Sequence, residues 1–96
     1  MLRLVVLAEA QDELLQTALR YETEQQGLGH RFWNEVDRCI GWIHSHHDTP
    51  RLRPGGYRRV DLRTFPYYLP YIERGSSIWI LAVAHARRRP GYWLDR

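Results

Sequence analysis

This chain has no lysine, one cysteine and one methionine among its 96 residues, and each shortage narrows what it can be. The lone thiol, Cys39, has no internal partner for a disulfide, so the sequence predicts a protein of a reducing compartment, the cytoplasm. The chain does not open with a positively charged segment running into a long apolar stretch, and no secretion signal is predicted. No apolar run approaches the roughly 20 residues that cross a bilayer, so no membrane segment is predicted either. Every one of the 14 cations is an arginine, which places the positive charge on planar forked donors suited to phosphate. The same bias also follows from genome base composition, and by itself it does not establish an anionic ligand.

Other features are abundant. Hydrophobic residues make up 44 % of the chain, with four Trp and six Tyr, which is the composition of a folded globule and predicts one domain spanning 1–96. A domain of this size buries only about 60–65 % of its unfolded surface, so one core must suffice. The charge is polarised. Residues 1–50 hold 4 Arg against 8 acids, a net of −4, whereas residues 51–96 hold 10 Arg against 3 acids, a net of +7. The basic half ends in an apolar run, Ile78 to Ala84, that passes into His85, Arg87, Arg88, Arg89, Pro90, Gly91, Tyr92 and Trp93. A strand that delivers arginines, an imidazole and aromatic rings to one rim suits an anionic, stackable partner, RNA first among them.

The periodicities predict the order strand, helix, helix, strand, strand, strand. Leu2 to Leu7 is a short β-branched-rich run and reads as a strand. From about Ala8 the spacing becomes helical, with Leu14, Ala18 and Tyr21 at i, i+4, i+7 and Leu15 and Leu19 alongside. Gly27 and Gly29 predict the turn of a helical hairpin, whose second helix carries Leu28, Phe32, Val36, Ile40 and Ile43 to about His46. Residues 48–56, with Pro50, Pro54, Gly55 and Gly56, predict a basic loop. Val60 and Leu62 then alternate with Arg59, Asp61 and Arg63, and Tyr67, Leu69 and Tyr71 face one way in the next strand. Pro70 predicts an edge position or a bulge there. In the last strand, Ile78, Ile80, Ala82 and Ala84 on one face oppose Trp79, Leu81, Val83 and His85 on the other, which predicts a central position in the sheet. The resulting fold class is α+β, with the hairpin packed on a small, mostly antiparallel sheet.

Three histidines, His44, His46 and His47, are dense enough to raise metal binding. Only Asp48 is near them as a further ligand, so an exposed helix end is predicted and no metal or other cofactor is assigned. Cys39 reads as a core residue.

The helix from Ala8 to Tyr21 followed by Glu22, the Gly27-Leu28-Gly29 turn before Phe32 and Val36, and Phe65-Pro66-Tyr67 with Tyr71 form an ordered series along the chain. Leu81-Ala82-Val83-Ala84-His85 with Arg88, Pro90 and Trp93 completes it. Together they resemble the RelE/ParE superfamily of bacterial toxins over nearly the whole chain. The resemblance implies the toxin of a type II toxin-antitoxin (plasmid stabilization) system, held inactive by a cognate antitoxin encoded by an adjacent gene. RelE-like members cleave messenger RNA on the ribosome as metal-independent endoribonucleases, which is the function implied here. ParE-like members poison DNA gyrase by binding without catalysis, the alternative, and a non-toxic nucleic-acid-binding adaptor is a second alternative.

Carried over by position, Arg88 resembles the arginine that clamps the scissile phosphate, and Tyr92 the aromatic residue that stacks on or orients a base. His85 stands where several members place a basic residue, and its ordinary pKa near 6.5 suits general acid or base work. These three form the implied catalytic set, and Arg59, Arg63 and Arg87 the implied RNA contacts. Two departures accompany the resemblance: Tyr68 and Ile72 occupy positions where many members carry an arginine, and the lysines that some RelE-like enzymes use are absent.

Overall fold

A computed structural model describes residues 2–96. Its elements are β1 (Arg3–Val6), α1 (Ala8–Glu24), α2 (Leu28–His46), β2 (Arg58–Asp61), β3 (Tyr67–Arg74), β4 (Ser77–Ile80) and β5 (Ala84–His85). The sheet runs β1-β4-β3-β2, with β5 also paired to β3. Only β1 with β4 is parallel, and the remaining pairs are antiparallel. The predicted α+β fold is therefore observed, with β4 in the interior of the sheet as its two apolar faces require.

Each helix buries the stripe that its spacing dictates. Ala10, Leu14, Thr17 and Ala18 of α1 and Gly29, Phe32, Val36 and Ile43 of α2 are buried. Phe32 sits at the centre of this core, its ring 5.0 Å from Phe65, 5.2 Å from Tyr67 and 5.4 Å from Tyr21. The helices approach closely at Gly29, where a Cβ would lie 2.1 Å from the Ala18 carbonyl oxygen, so no larger residue fits. Gly27, at φ 88°, starts α2 without a side-chain cap of its own. Glu22 supplies that function from α1, its carboxylate accepting the Gly27 amide at 2.7 Å and the Gly29 amide at 3.0 Å.

The sheet is covered on both faces. Tyr67, Leu69 and Tyr71 share one face as predicted, the face toward the helices, while Tyr68 points away into a second cluster with Tyr57, Leu81, Ala82, Ala84 and Trp93. That outer cluster is roofed by the 51–57 loop and the C-terminal tail.

One prediction needs correcting. The run from Ile78 to Ala84 is not one uninterrupted alternating strand. Tyr71 faces Ile80 whereas Tyr68 faces Ala84, three steps along β3 against four along its partner, so one extra residue is accommodated within Leu81–Val83. The bulge reverses the phase: Ile78 and Ile80 join the helix-side core, but Ala82 and Ala84 fall in the outer cluster. Pro70 lies opposite this bulge and, contrary to one of the two options predicted for it, not at the sheet edge. Its carbonyl accepts the Leu81 amide at 2.9 Å, so its donor-less nitrogen faces the irregular segment where no ladder bond is lost.

Candidate functional site

The bulge also opens a gap at the sheet edge, because β1 ends at Val6 and the chain turns into α1 after a last bond from the Leu7 amide to the Ile80 carbonyl. Glu13 of α1 fills it. Its carboxylate accepts the Val83 amide at 3.1 Å, the Tyr92 hydroxyl at 3.0 Å and two Arg96 nitrogens at 3.0 and 2.9 Å. Arg96 Nη1 also donates to the Leu81 carbonyl at 3.0 Å. One half-buried carboxylate thus anchors the whole tail, in which Trp93 is fully buried.

Upon this anchor the tail presents its arginines. The Arg88 guanidinium lies 3.7 Å from the centroid of the Tyr92 ring, and Arg96 approaches the same ring at 5.1 Å. Tyr92 meets Trp93, which meets Tyr68, whose ring carries Arg59 at 4.2 Å. Arg88, Tyr92, Trp93, Tyr68 and Arg59 therefore form a continuous arginine–aromatic ladder on the face of the sheet away from the helices. Arg59 Nε is 3.2 Å from Asp61 Oδ1, close enough for attraction but not aligned as a hydrogen bond. Arg87 is exposed at the start of the tail.

Arg87 is thus outside the ladder, and two more of the six sequence-assigned residues, His85 and Arg63, stand apart from it. His85 ends β5, and its ring packs edge-on against Tyr67 at 4.9 Å, on the helix side of the sheet. The Tyr67 hydroxyl there accepts a hydrogen bond from Arg20 of α1. Arg63 lies beyond the end of β2, where its backbone amide donates to Glu35 of α2 at 2.6 Å and its exposed side chain borders a slot with Arg38, Cys39 and Trp42. Sequence reading missed Glu13, Arg20 and Arg96. No local pattern marks them, since Glu13 looks like any acid in the first turns of a helix and Arg96 is the last residue of the chain.

Two candidate proton-moving atoms are engaged, Nδ1 of His85 and the hydroxyl of Tyr92. His85 Nδ1 accepts the Arg87 amide at 3.0 Å, so the neutral ring carries its proton on Nε2. The Tyr92 hydroxyl is pushed up to about 12, first by burial and then by the Glu13 carboxylate that it faces. Arg87, Arg88 and Arg89, by contrast, are exposed, whereas Arg59 is partly buried beside Asp61.

The three histidines of α2 go separate ways. His44 Nε2 bonds the Leu2 carbonyl at 2.6 Å, His46 stacks on Trp42 at 4.7 Å, and His47 pairs with Glu73. Among the described residues no group of three His, Cys, Asp or Glu side chains is placed to hold a metal ion. Cys39 packs partly buried against the core, its thiol pushed up to about 12 by burial and by the nearby Glu35 and Asp61 carboxylates. Among the described residues no helix is long and apolar enough to cross a membrane.

No protein-family model matches the chain, and no curated protein matches it. The fold does have a solved counterpart. A chain from the chromosomal ParDE TA system from P. aeruginosa superposes with a TM-score of 0.81 at 16 % identity, covering 91 % of this chain and 98 % of that one. The architecture is thus RelE/ParE-like.

Proposed function

We propose that this protein is the toxin of a type II toxin-antitoxin pair and that it arrests growth in the ParE-like manner, by gripping DNA gyrase without catalysis. The observation that carries the choice is the engagement of Tyr92, whose hydroxyl donates into the Glu13 carboxylate. Metal-independent RNA cleavage requires groups free to take and give a proton. The arginine–aromatic ladder needs no such freedom to hold an anionic or acidic surface. The likeness to a ParDE chain supports the toxin reading at the level of fold.

Within this reading a cognate antitoxin lays an acidic segment over Arg59 and Arg88, neutralising them through charge-assisted bonds. Ribosome-dependent cleavage of mRNA is the second reading. It is favoured by the exposed Arg87, Arg88 and Arg89 that follow His85, whose Nε2 takes no part in the Arg87 contact. A non-toxic nucleic-acid-binding adaptor remains as a third.

Induction of the protein in cells, with mRNA ends mapped and DNA breaks assayed in parallel, separates the three. A DNA-break response with intact messages is expected, and Arg88→Ala is expected to abolish it while the protein stays folded by circular dichroism. In-frame cleavage of translated messages overturns the gyrase assignment in favour of the ribonuclease. Unaffected growth removes toxicity altogether.

A further inference from the structure

Arginines without partners are not confined to the tail. The side of α2 next to β2 presents Arg31, Asn34, Arg38 and Trp42 at i, i+3, i+7 and i+11, one exposed stripe of about three turns. Two adjoining cavities of 230 and 480 Å³ share Glu35, Arg38 and Thr64. They join the stripe into one slot whose other wall is the end of β2 and the turn after it, with Arg63. From Arg31 to Trp42 the slot is about 16 Å long.

Its positive charges are not balanced from within. Among the described residues Arg31, Arg38 and Arg63 have no carboxylate within 4.0 Å. The two acids of the slot are engaged by other groups. Glu35 accepts the Arg63 and Thr64 amides at 2.6 and 3.0 Å and also the Thr64 hydroxyl, and Asp61 lies 3.2 Å from Arg59 at the free edge of β2. With Arg59 at that rim, four guanidinium groups stand against two carboxylates. Glu35 also holds the turn that carries Arg63 against α2, so the two walls keep a fixed spacing.

A flat ring stands at one end. Trp42 is 39 % exposed, and His46 stacks on it with ring centroids 4.7 Å apart and planes inclined by 14°. An indole that takes a parallel heteroaromatic ring takes a nucleobase by the same contact.

We infer that the slot between α2 and β2 binds single-stranded nucleic acid, with Arg31, Arg38 and Arg63 on its phosphates and a base stacked on Trp42. About five stacked nucleotides at roughly 3.4 Å each cover its length. A duplex keeps its bases paired and offers Trp42 no free ring. An acidic peptide would satisfy the arginines but leave Trp42 without a planar partner. The slot opens between α2 and the sheet, whereas the arginine–aromatic ladder lies on the sheet's other face, and the inference rests on none of the three functional readings above.

The full-length protein, labelled with nitrogen-15, is titrated with a deoxythymidine octamer at several salt concentrations, with the same octamer annealed to its complement, and with an octamer of glutamate. The single strand is expected to saturate and to shift the Arg31, Arg38 and Arg63 amides and the Trp42 indole N–H. The logarithm of its association constant should fall with the logarithm of salt at a slope of about −2, the value for three phosphate contacts on a single strand. Arg31→Gln with Arg38→Gln, both at exposed positions, should bring that slope to about −0.7. Trp42→Leu should weaken binding about tenfold and leave the slope unchanged. Circular dichroism checks that the variants are folded. A slope indifferent to the two arginines, parental affinity in Trp42→Leu, or shifts confined to Tyr92 and Trp93 overturns the inference. So does equal or tighter binding of the duplex or the glutamate peptide, or no saturation by the single strand at low salt.

Discussion

Arg96 and Glu13, 83 positions apart, meet through two roughly parallel contacts, Nη1 to Oε1 at 3.0 Å and Nη2 to Oε2 at 2.9 Å. Both side chains are largely withdrawn from water, 17 % and 18 % exposed. This forked pair closes the chain end onto the first helix and determines where Arg88 and Tyr92 stand.

Removing the carboxylate should therefore be costly. Glu13→Ala strips partners from the Val83 amide, the Tyr92 hydroxyl and Arg96 together, and a loss of about 2–4 kcal/mol is expected from urea unfolding. Glu13→Gln keeps one acceptor oxygen and should lose about half as much. A loss below about 0.5 kcal/mol for the alanine variant would mean that the buried Trp93 alone holds the tail.

Acid should weaken the fold through Glu35. Burial opposes its ionisation, but the Thr64 hydroxyl and the Thr64 and Arg63 amides outweigh that and hold its carboxyl below the usual range. A depressed carboxylate contributes stability above its unfolded pKa and loses it as pH falls through the folded value. The contribution is thus complete above about pH 5 and declines below about 4.3. Urea midpoints measured as pH falls below about 4.3 should drop less steeply for Glu35→Gln than for the parent chain.

Two glycines of α2 should respond in opposite directions. Gly29→Ala forces a methyl against the Ala18 carbonyl at 2.1 Å and Glu22 Cβ at 2.9 Å, and should cost about 2–3 kcal/mol by prising the hairpin apart. Gly41→Ala meets nothing within 4 Å and should add about 0.5–1 kcal/mol through helix propensity. Thermal unfolding of the pair distinguishes close approach from a general intolerance of substitution in α2.

Two tyrosines of β3, on opposite faces of the sheet, should also differ. The Tyr71 hydroxyl donates to the His47 carbonyl at 2.7 Å, so Tyr71→Phe should cost about 1 kcal/mol. The Tyr68 hydroxyl is buried without a partner among the described residues, and Tyr68→Phe should be neutral or stabilising by up to about 1 kcal/mol. A destabilised Tyr68→Phe variant would show that the hydroxyl has a partner in solution.

Much of the architecture was readable before any coordinates. The helical stripes through Leu14 and Phe32 and the alternation through Tyr67, Leu69 and Tyr71 are local periodicities, and α1, α2 and β3 formed where those periods placed them. The bulge at Leu81–Val83 escaped because it depends on register against β3, and a one-residue slip sends Ala82 and Ala84 to the opposite face. For the site, Arg88 lies over Tyr92 and Arg59 is linked to them only through Tyr68 and Trp93, Arg87 stays exposed outside this ladder, and Arg63 and His85 are directed away from it. Both lie only a few residues from ladder members in sequence, but chain reversal and strand alternation direct them elsewhere.

The linear order of residues was enough to establish the element types, the arginine-rich second half and the hairpin turn, because propensity, period and charge are properties of short segments. Only the tertiary structure could decide that Glu13 is the anchor of the tail, that Leu15 and Leu19 look outward, and which arginines share a face. Those outcomes depend on contacts between positions tens of residues apart, and their free energies exist only once the sheet and hairpin have closed upon each other.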